Sequence, residues 1–299
     1  MKKLALTFYF SSFAILICLF VSCKQQNNDS SGWESLLDKD LSKWRIYQSY
    51  EFQDNFRGEI LVDEAGEPIP PIGYDKNVKH VFSVIEENNE LLLHISGEVY
   101  GCVFTKQDFR NYHLKLKFKW GDQKFVPRLD KAMDSGILYH SQGECGVDYW
   151  HTWMVSQEFQ VIEGGTTEGS CGDFWPIANS RIDIKAERPE GSRNYFYNPE
   201  ATVVSFGARG TRGPCMVREN LESPKDEWTT MELICYEGKS AHIVNGHVTM
   251  ILENSSYWNG TELLPLVEGK IQLQCEAAEL YYKDIQIKQL TELPEELNF

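Results

Sequence analysis

The chain has 299 residues, of which 44 are aspartate or glutamate and 29 are lysine or arginine, and its formal net charge is −15. This charge argues against nucleic acid as a partner, because binding to phosphates requires a cationic face. Aromatic residues make up 13% of the chain. Such a supply suits stacking on sugars as well as the filling of a β core, so composition alone does not decide between the two.

The N-terminus has the pattern of an export signal. Two lysines precede an apolar run over residues 4–21, and Ser22-Cys23 follows. Residues 19–23 resemble a bacterial lipobox, which predicts that residues 1–22 are a lipoprotein signal peptide and that Cys23 is lipidated. A signal-anchor helix is the alternative, but the polar residues after Cys23 favour cleavage. We therefore expect a lipid-anchored protein of a bacterial cell envelope, held on a membrane through its lipid and facing the periplasm or the cell surface.

The rest of the chain is predicted to be a tether and one domain. Residues 24–31 contain no apolar side chain, so residues 23–31 are expected to be a flexible tether. Residues 32–299 are expected to form one domain, since all-β sandwiches often reach this length. No later segment is long and apolar enough to span a bilayer.

Alternating polar and apolar residues, bounded by turn residues, predict many β-strands. In residues 113–120, Leu114, Leu116, Phe118 and Trp120 share one face. Further strands are predicted at residues 90–95, 136–140, 158–162, 231–236, 241–244, 247–251, 270–276 and 280–287, with a hairpin turn at residues 245–246. Because crossover helices are not predicted, the strands indicate an all-β fold of antiparallel sheets, a sandwich or jelly roll.

Two stretches, residues 52–79 and 143–198, are predicted to be long loops, and sites commonly lie on such loops. Six cysteines remain after Cys18 of the signal and Cys23, the expected lipid site, and this even number permits disulfides outside the cytoplasm. We expect Cys145 and Cys171 to pair, since they bracket a glycine-rich stretch. Cys235 and Cys275 lie among inward-facing strand residues and are interpreted as buried thiols.

Several short motifs occur in the order found in one protein family. They are residues 32–44, 104–112, 134–137, 158–163, 227–230, 244–246, 269–274 and 284–290. This order resembles the 3-keto-disaccharide hydrolase family. The resemblance implies a concanavalin-like jelly-roll sandwich and an enzyme that cleaves glycosides whose C3 hydroxyl has been oxidised to a ketone. The chain departs from the family at Asp134, where Asn is usual, and at Cys275-Glu276, where many members have His-Gly or a similar polar pair.

The implied chemistry predicts what the site must contain. A ketone at C3 acidifies the C2 hydrogen, so a base can form an enolate that expels the C1 substituent, after which water can add. Such a site needs a base with a pKa near neutral, an electropositive group at the enolate oxygen, for which a divalent metal is one option, and a proton donor for the leaving oxygen. An ordinary glycosidase instead needs two opposed carboxylates at C1.

The period of two along strands assigns candidate side chains to this site. If Phe159 and Val161 enter the core, their strand neighbours face outward. The same holds for the strand that contains Leu273. Four polar side chains would then share one patch on the concave sheet: Glu158, Gln160, Gln274 and Glu276. Of these, Gln160, Gln274 and Glu276 are expected to bind sugar hydroxyls or a metal. The alternative is ordinary solvated sheet surface.

The catalytic base is predicted to be Glu158, His140 or His151, and Trp150 or Trp153 is predicted to stack on a sugar ring. For the histidines and tryptophans the alternatives are an ordinary hydrogen-bonding His and a loop anchored by Trp side chains. Glu163 is a candidate metal ligand, or else it orients a His or caps a turn. Residues 173–175 are expected to cover the pocket or to fill the core.

Two other functions compete with cleavage of 3-keto-glycosides. The first is a non-catalytic carbohydrate-binding lipoprotein on the same fold. The second is an ordinary glycosidase that uses Glu158 and Glu163. Their odd spacing sends the two carboxylates to opposite faces of a regular strand, so this pair is disfavoured unless a bulge intervenes.

Overall fold

The computed structural model describes residues 32–54, 56–148, 151–164 and 168–297. The predictions for the signal peptide (residues 1–22), the tether (residues 23–31), the lipidation of Cys23 and the role of Trp150 lie outside the described residues. Within the described ranges, no helix is both long and apolar enough to cross a membrane.

The described ranges form twenty strands and two short 3-10 helices, at Val78–His80 and Glu295–Leu297. The strands are β1 (Glu34–Ser35), β2 (Trp44–Gln48), β3 (Gly73–Tyr74), β4 (Phe82–Glu87), β5 (Glu90–Ile95), β6 (Gly101–Thr105), β7 (Tyr112–Lys124), β8 (Asp134–Gln142), β9 (Val155–Ile162), β10 (Phe174–Ile177), β11 (Ser180–Glu187), β12 (Tyr195–Tyr197), β13 (Val203–Gly207), β14 (Cys215–Met216), β15 (Thr229–Tyr236), β16 (Lys239–Val244), β17 (His247–Trp258), β18 (Leu263–Pro265), β19 (Lys270–Cys275) and β20 (Ala278–Gln289).

The strands form two layers. The front sheet has the order β3–β2–β6–β19–β8–β9–β10–β14–β12. The back sheet has the order β4–β5–β20–β7–β15–β16–β17–β11–β13. Apart from the parallel pair β12–β14, these pairings are antiparallel, and β11 also pairs with β12, which joins the two sheets. The predicted all-β jelly-roll sandwich is confirmed.

The core lies between the two sheets. The apolar side chains of β7 that were predicted to share a face are all buried, with Leu116 fully buried and Trp120 4% exposed. They belong to the same buried cluster as Phe159 and Val161 of β9 and Leu273 of β19. Because side chains alternate along a strand, the residues between these core positions on β9 and β19 point to the outer face of the front sheet.

The structure corrects the prediction of one long loop over residues 143–198. This stretch contains β9 through β12, with Trp175 of β10 opposite Glu158 of β9. The strands β10 and β12 were missed because they are only four and three residues long, too short to show an alternating pattern. The strand β11 was missed although its eight residues alternate between buried and more exposed positions. The predicted turn at residues 245–246 is confirmed, since Val244 of β16 pairs with His247 of β17.

The predicted Cys145–Cys171 disulfide is wrong. In the described ranges the six cysteines are all buried free thiols. Cys171 lies in the core between the sheets, whereas Cys145 packs with Cys102 in a separate cluster on the outer face of the front sheet. Closeness in sequence to a glycine-rich stretch therefore did not bring the two thiols together. The interpretation of Cys235 and Cys275 as buried thiols is confirmed.

Candidate functional site

A cavity of about 640 Å³ lies on the outer face of the front sheet. Three neighbouring strands, β19, β8 and β9, form its floor. Five polar side chains from these strands and their ends line it: Asp134, Glu158, Gln160, Gln274 and Glu276. The structure thus brings together the four side chains that the sequence predicted to share one patch, and it adds Asp134.

The floor owes its shape to a glycine in the middle strand. Gly136 of β8 pairs with Gln160 of β9. A Cβ atom placed on Gly136 would overlap the Oε1 atoms of both Glu158 and Gln274. Only a residue without a side chain lets the carboxyl of Glu158 and the amide of Gln274 meet above β8. The backbone of Gly136 has an ordinary negative φ, so close approach rather than backbone conformation explains this glycine.

An ion pair closes one end of the floor. Nη2 of Arg128, in the loop after β7, lies 2.6 Å from Oδ2 of Asp134. Both side chains are largely buried, at 16% and 7% exposure. Burial raises the pKa of Asp134 to about 6, although the charge of Arg128 works in the opposite direction. The Asp134 carboxyl is therefore mainly ionised at neutral pH, with a pKa close to that required of a general base.

The two glutamates of the floor have raised pKa values. Burial and then the charge of Asp134 raise the pKa of Glu276 to about 8, against the opposing effect of Arg128. Burial, followed by the neighbouring carboxyls of Glu276 and Asp134, raises the pKa of Glu158 well above its usual range. The carboxyls of Asp134, Glu158 and Glu276 thus share a buried site with the Arg128 guanidinium and with a fourth carboxyl, Asp148, which also raises the pKa of both glutamates.

Several buried polar atoms of the floor have no partner in the described part of the chain. These atoms are Nε of Arg128, Oδ1 of Asp134 and Oε1 of Gln274. A buried donor or acceptor without a hydrogen bond costs about 1–3 kcal/mol. A bound molecule with several hydroxyl or carbonyl groups would satisfy them, so the floor is suited to a polyhydroxylated ligand.

The side and rim of the cavity add aromatic and apolar surface. Trp153, which the sequence proposed as a stacking residue, lines the cavity with only 2% of its surface exposed. Its backbone N–H and that of Thr152 donate to Oδ1 of Asp148, each at 2.7 Å, which fixes this loop. Trp175 stands beside Glu158 and remains partly exposed, whereas Phe174 points into the core. Residues 173–175 therefore both fill the core and cover the cavity.

The structure places three other candidates away from the cavity. His140 was expected on the face opposite Tyr139, and this is wrong. A bulge in β8 and a φ of +52° at His140 turn its ring inward, with its centroid 5.3 Å from that of Tyr139 and 6.1 Å from that of Tyr112. Burial lowers the pKa of His140 to about 4, so it is neutral at pH 7. His151 is half-buried in its loop and does not line the cavity.

Glu163 lies just beyond the end of β9, where its Oε2 accepts a hydrogen bond from the Met133 N–H at 3.2 Å. It is not part of the cavity lining. Within the described ranges, no group of three or more His, Cys, Asp or Glu side chains is arranged to hold a metal ion.

Sequence reasoning missed Arg128, Asp148 and Arg212, all of which line the cavity. They lie on loops, where no periodic pattern shows which way a side chain points. The only feature of the sequence that could have pointed to Arg128 and Asp148 is that they lie close in sequence to the motifs at residues 134–137 and 158–163.

The fold and the site define a class of protein: a two-sheet jelly roll whose outer cavity combines carboxyl, amide and tryptophan side chains, the groups that bind and cleave sugars. Residues 32–288 match the 3-keto-alpha-glucoside-1,2-lyase-like domain family, and the chain belongs to this family. The resemblance inferred from the motifs is confirmed, and the family indicates a carbohydrate-related hydrolase or lyase function.

Solved structures with similar folds are distant in sequence. Two are proposed glycosyl hydrolases from Parabacteroides distasonis. One is 15% identical, with 86% of this chain and 99% of that chain covered and a TM-score of 0.46. The other is 16% identical, with 87% and 94% covered and a TM-score of 0.45. A protein with a galectin-like fold from Bacillus subtilis is 13% identical, with 86% and 94% covered and a TM-score of 0.42. A comparison with curated proteins finds no match.

Proposed function

We propose that this protein cleaves 3-keto-glycosides by removing the C2 proton and eliminating the C1 substituent, with water adding afterwards to give the free keto sugar. The observation that supports this most is the geometry of the floor: Asp134 is ion-paired with Arg128 at 2.6 Å and lines the same cavity as Glu276 and Glu158, the two carboxyls whose pKa values burial raises. Elimination needs one base and at least one proton donor in the same site.

Asp134 is assigned as the base. Its Oδ2 is held by Arg128, while its Oδ1 makes no hydrogen bond within the described chain and is free to take the C2 proton. The pair of electrons from the C–H bond then forms the enolate, with its charge on the oxygen at C3. Hydrogen bonds from the Arg128 Nε–H and the Glu276 carboxyl would stabilise that oxygen.

Glu158 is assigned as the proton donor to the leaving oxygen. It lies at the boundary between the floor and the rim, directly opposite Trp175 on β10. As the C1–O bond breaks, the carboxylic acid of Glu158 supplies the proton that the departing oxygen requires. The side-chain hydrogen bond from Gln274 lowers the pKa of Glu158, which eases this release. Hydration of the unsaturated sugar returns a proton to C2 and completes the reaction.

The test is mass spectrometry of products after the full-length protein is incubated with a 3-keto-glycoside and with its unoxidised parent, with added divalent metal and with EDTA. We expect cleavage of the keto form only. The variants Asp134→Asn and Glu158→Gln should lose turnover, whereas Glu163→Gln, the same change at the end of β9 outside the cavity, should keep it. Sugar binding without any cleavage would overturn the proposal and favour a surface carbohydrate-binding protein. Cleavage of the unoxidised parent would favour an ordinary glycosidase.

We further propose the envelope location that the N-terminal sequence predicts. The supporting observation is the Ser22-Cys23 pair after an apolar run. Metabolic labelling with a fatty acid should label the protein and should fail to label the Cys23→Ser variant; equal labelling of both would contradict the assignment.

A further inference from the structure

The cavity has two chemically different halves. Its floor is acidic and polar, whereas its rim is formed by Trp175, Pro176 and Ile177 of β10 and by Arg212 from the loop after β13. Glu158, the proposed proton donor, lies opposite Trp175, so the proposed function places the sugar on the floor and the leaving group at the rim. The side chains of the rim would then determine which leaving groups are accepted.

Arg212 is a notable component of this rim. The loop of residues 207–214 contains two arginines and no acidic residue, in a chain of net charge −15. In the part of the chain that the structure describes, the Arg212 guanidinium forms no ion pair or hydrogen bond, and its side chain is exposed at the mouth of the cavity. A guanidinium has five N–H donors arranged to match a carboxylate, so Arg212 can bind an anionic group on a ligand.

The loop that carries Arg212 is fixed in place. The guanidinium of Arg181, on β11, donates through Nη1 to the carbonyl oxygens of Ala208 at 3.2 Å and Arg209 at 3.0 Å. The Thr211 N–H donates to the Ser205 carbonyl at 2.7 Å. These bonds hold the loop against the edge of the sheet, so a ligand that pairs with Arg212 does not need to order the loop first.

The two arginines of the loop differ in what they contact. The Arg209 guanidinium lies 4.6 Å from the centre of the Trp258 ring and does not line the cavity. Arg212 faces the cavity beside the apolar surface of β10. Arg209 is therefore a matched control, because it has the same charge, lies in the same loop and is three residues away.

We propose that the rim is a leaving-group subsite, selective for a group that combines a flat apolar face, packed on Trp175 and Ile177, with a carboxylate bound by Arg212. This inference rests on the proposed function, because it assigns the sugar to the floor. It identifies the substrates as keto-glycosides of acidic aglycones rather than neutral ones.

The test uses two 3-keto-glucosides that differ only in charge, those of 4-hydroxybenzoate and of its methyl ester. Binding is measured by calorimetry on the Asp134→Asn protein and cleavage on the wild type. We expect about tenfold preference for the carboxylate in both. This preference should disappear in Arg212→Gln and remain in Arg209→Gln. A disaccharide pair ending in glucuronate or in glucose shows whether an acidic sugar is preferred in the same way.

Equal affinity for charged and neutral members of both pairs, or a preference that survives Arg212→Gln, would overturn the subsite. The result is separable from the proposed function. Absence of cleavage together with an Arg212-dependent binding preference would refute the reaction and keep the subsite, whereas cleavage of both members at equal rates would keep the reaction and refute the subsite.

Discussion

Gly136 gives the sharpest mutational test of the site, because the Gly136→Ala change adds one methyl group at the meeting point of two functional side chains. The new Cβ would approach Oε1 of both Glu158 and Gln274 to less than 3.0 Å, a separation that real Cβ atoms essentially never show. The carboxyl or the amide must therefore retreat by roughly 1 Å, and a misplacement of about that size can cost 100-fold in rate. We expect kcat/KM to fall about 100-fold, equivalent to about 2.7 kcal/mol of transition-state stabilisation.

The control is Gly121→Ala. A Cβ on Gly121, in β7 of the back sheet, would collide with the carboxyl group of Glu279 in the same way, but neither residue lines the cavity. Because the colliding atoms belong to the ends of flexible side chains, both variants should lose little stability. Thermal unfolding and steady-state kinetics on both proteins separate the two effects. If Gly136→Ala keeps wild-type activity, or Gly121→Ala loses as much, the placement of Glu158 and Gln274 in the site is refuted.

Three further predictions follow from the charges of the site and from the positions of its neighbours. In Arg128→Gln the pKa of Asp134 should rise, because the lowering effect of Arg128 is lost. The acid limb of the pH profile of kcat/KM should therefore move to higher pH. An acid limb that does not move would show that Asp134 is not the base. His140→Gln should keep kcat/KM within about threefold, because His140 lies outside the cavity lining, and a large loss would return it to the site. Glu276 has a raised pKa of about 8 in the folded protein against an ordinary 4.5. Between these two pH values the folded state binds more protons than the unfolded state. The free energy of unfolding therefore falls as pH rises from the lower value to the higher one. The Tm of the Glu276→Gln variant minus the Tm of the wild type should therefore be larger at pH 8 than at pH 5. The same Tm difference at both pH values would contradict the raised pKa.

The sheets could be predicted because their signal repeats along the chain. The alternation in residues 113–120 determines which side of β7 faces the core, and the same rule applied to β9 and β19 brought Glu158 and Glu276 to one surface. Strand periodicity carries this information without reference to distant residues.

The parts of the site that could not be predicted depend on local departures from that periodicity or on loops. His140 turns inward because a bulge and a positive φ interrupt β8. A positive φ can be anticipated from the sequence mainly where a glycine occurs, and this position is a histidine. Arg128 and Arg212 reach the cavity from loops, whose paths are set by tertiary contacts such as those of Arg181. The raised pKa values of the glutamates likewise follow from burial and neighbouring carboxyls, which a linear sequence does not give.

The fate of deuterium at C2 of the sugar tests the central claim most directly. A 3-keto-glycoside labelled with deuterium at C2 is cleaved in ordinary water, and the keto-sugar product is analysed by mass spectrometry against labelled free product kept under the same conditions. Elimination predicts that the product loses the label at the rate of cleavage, and that Asp134→Asn stops both. A product that keeps its deuterium would show that the C1–O bond breaks without removal of the C2 proton, and it would contradict the mechanism.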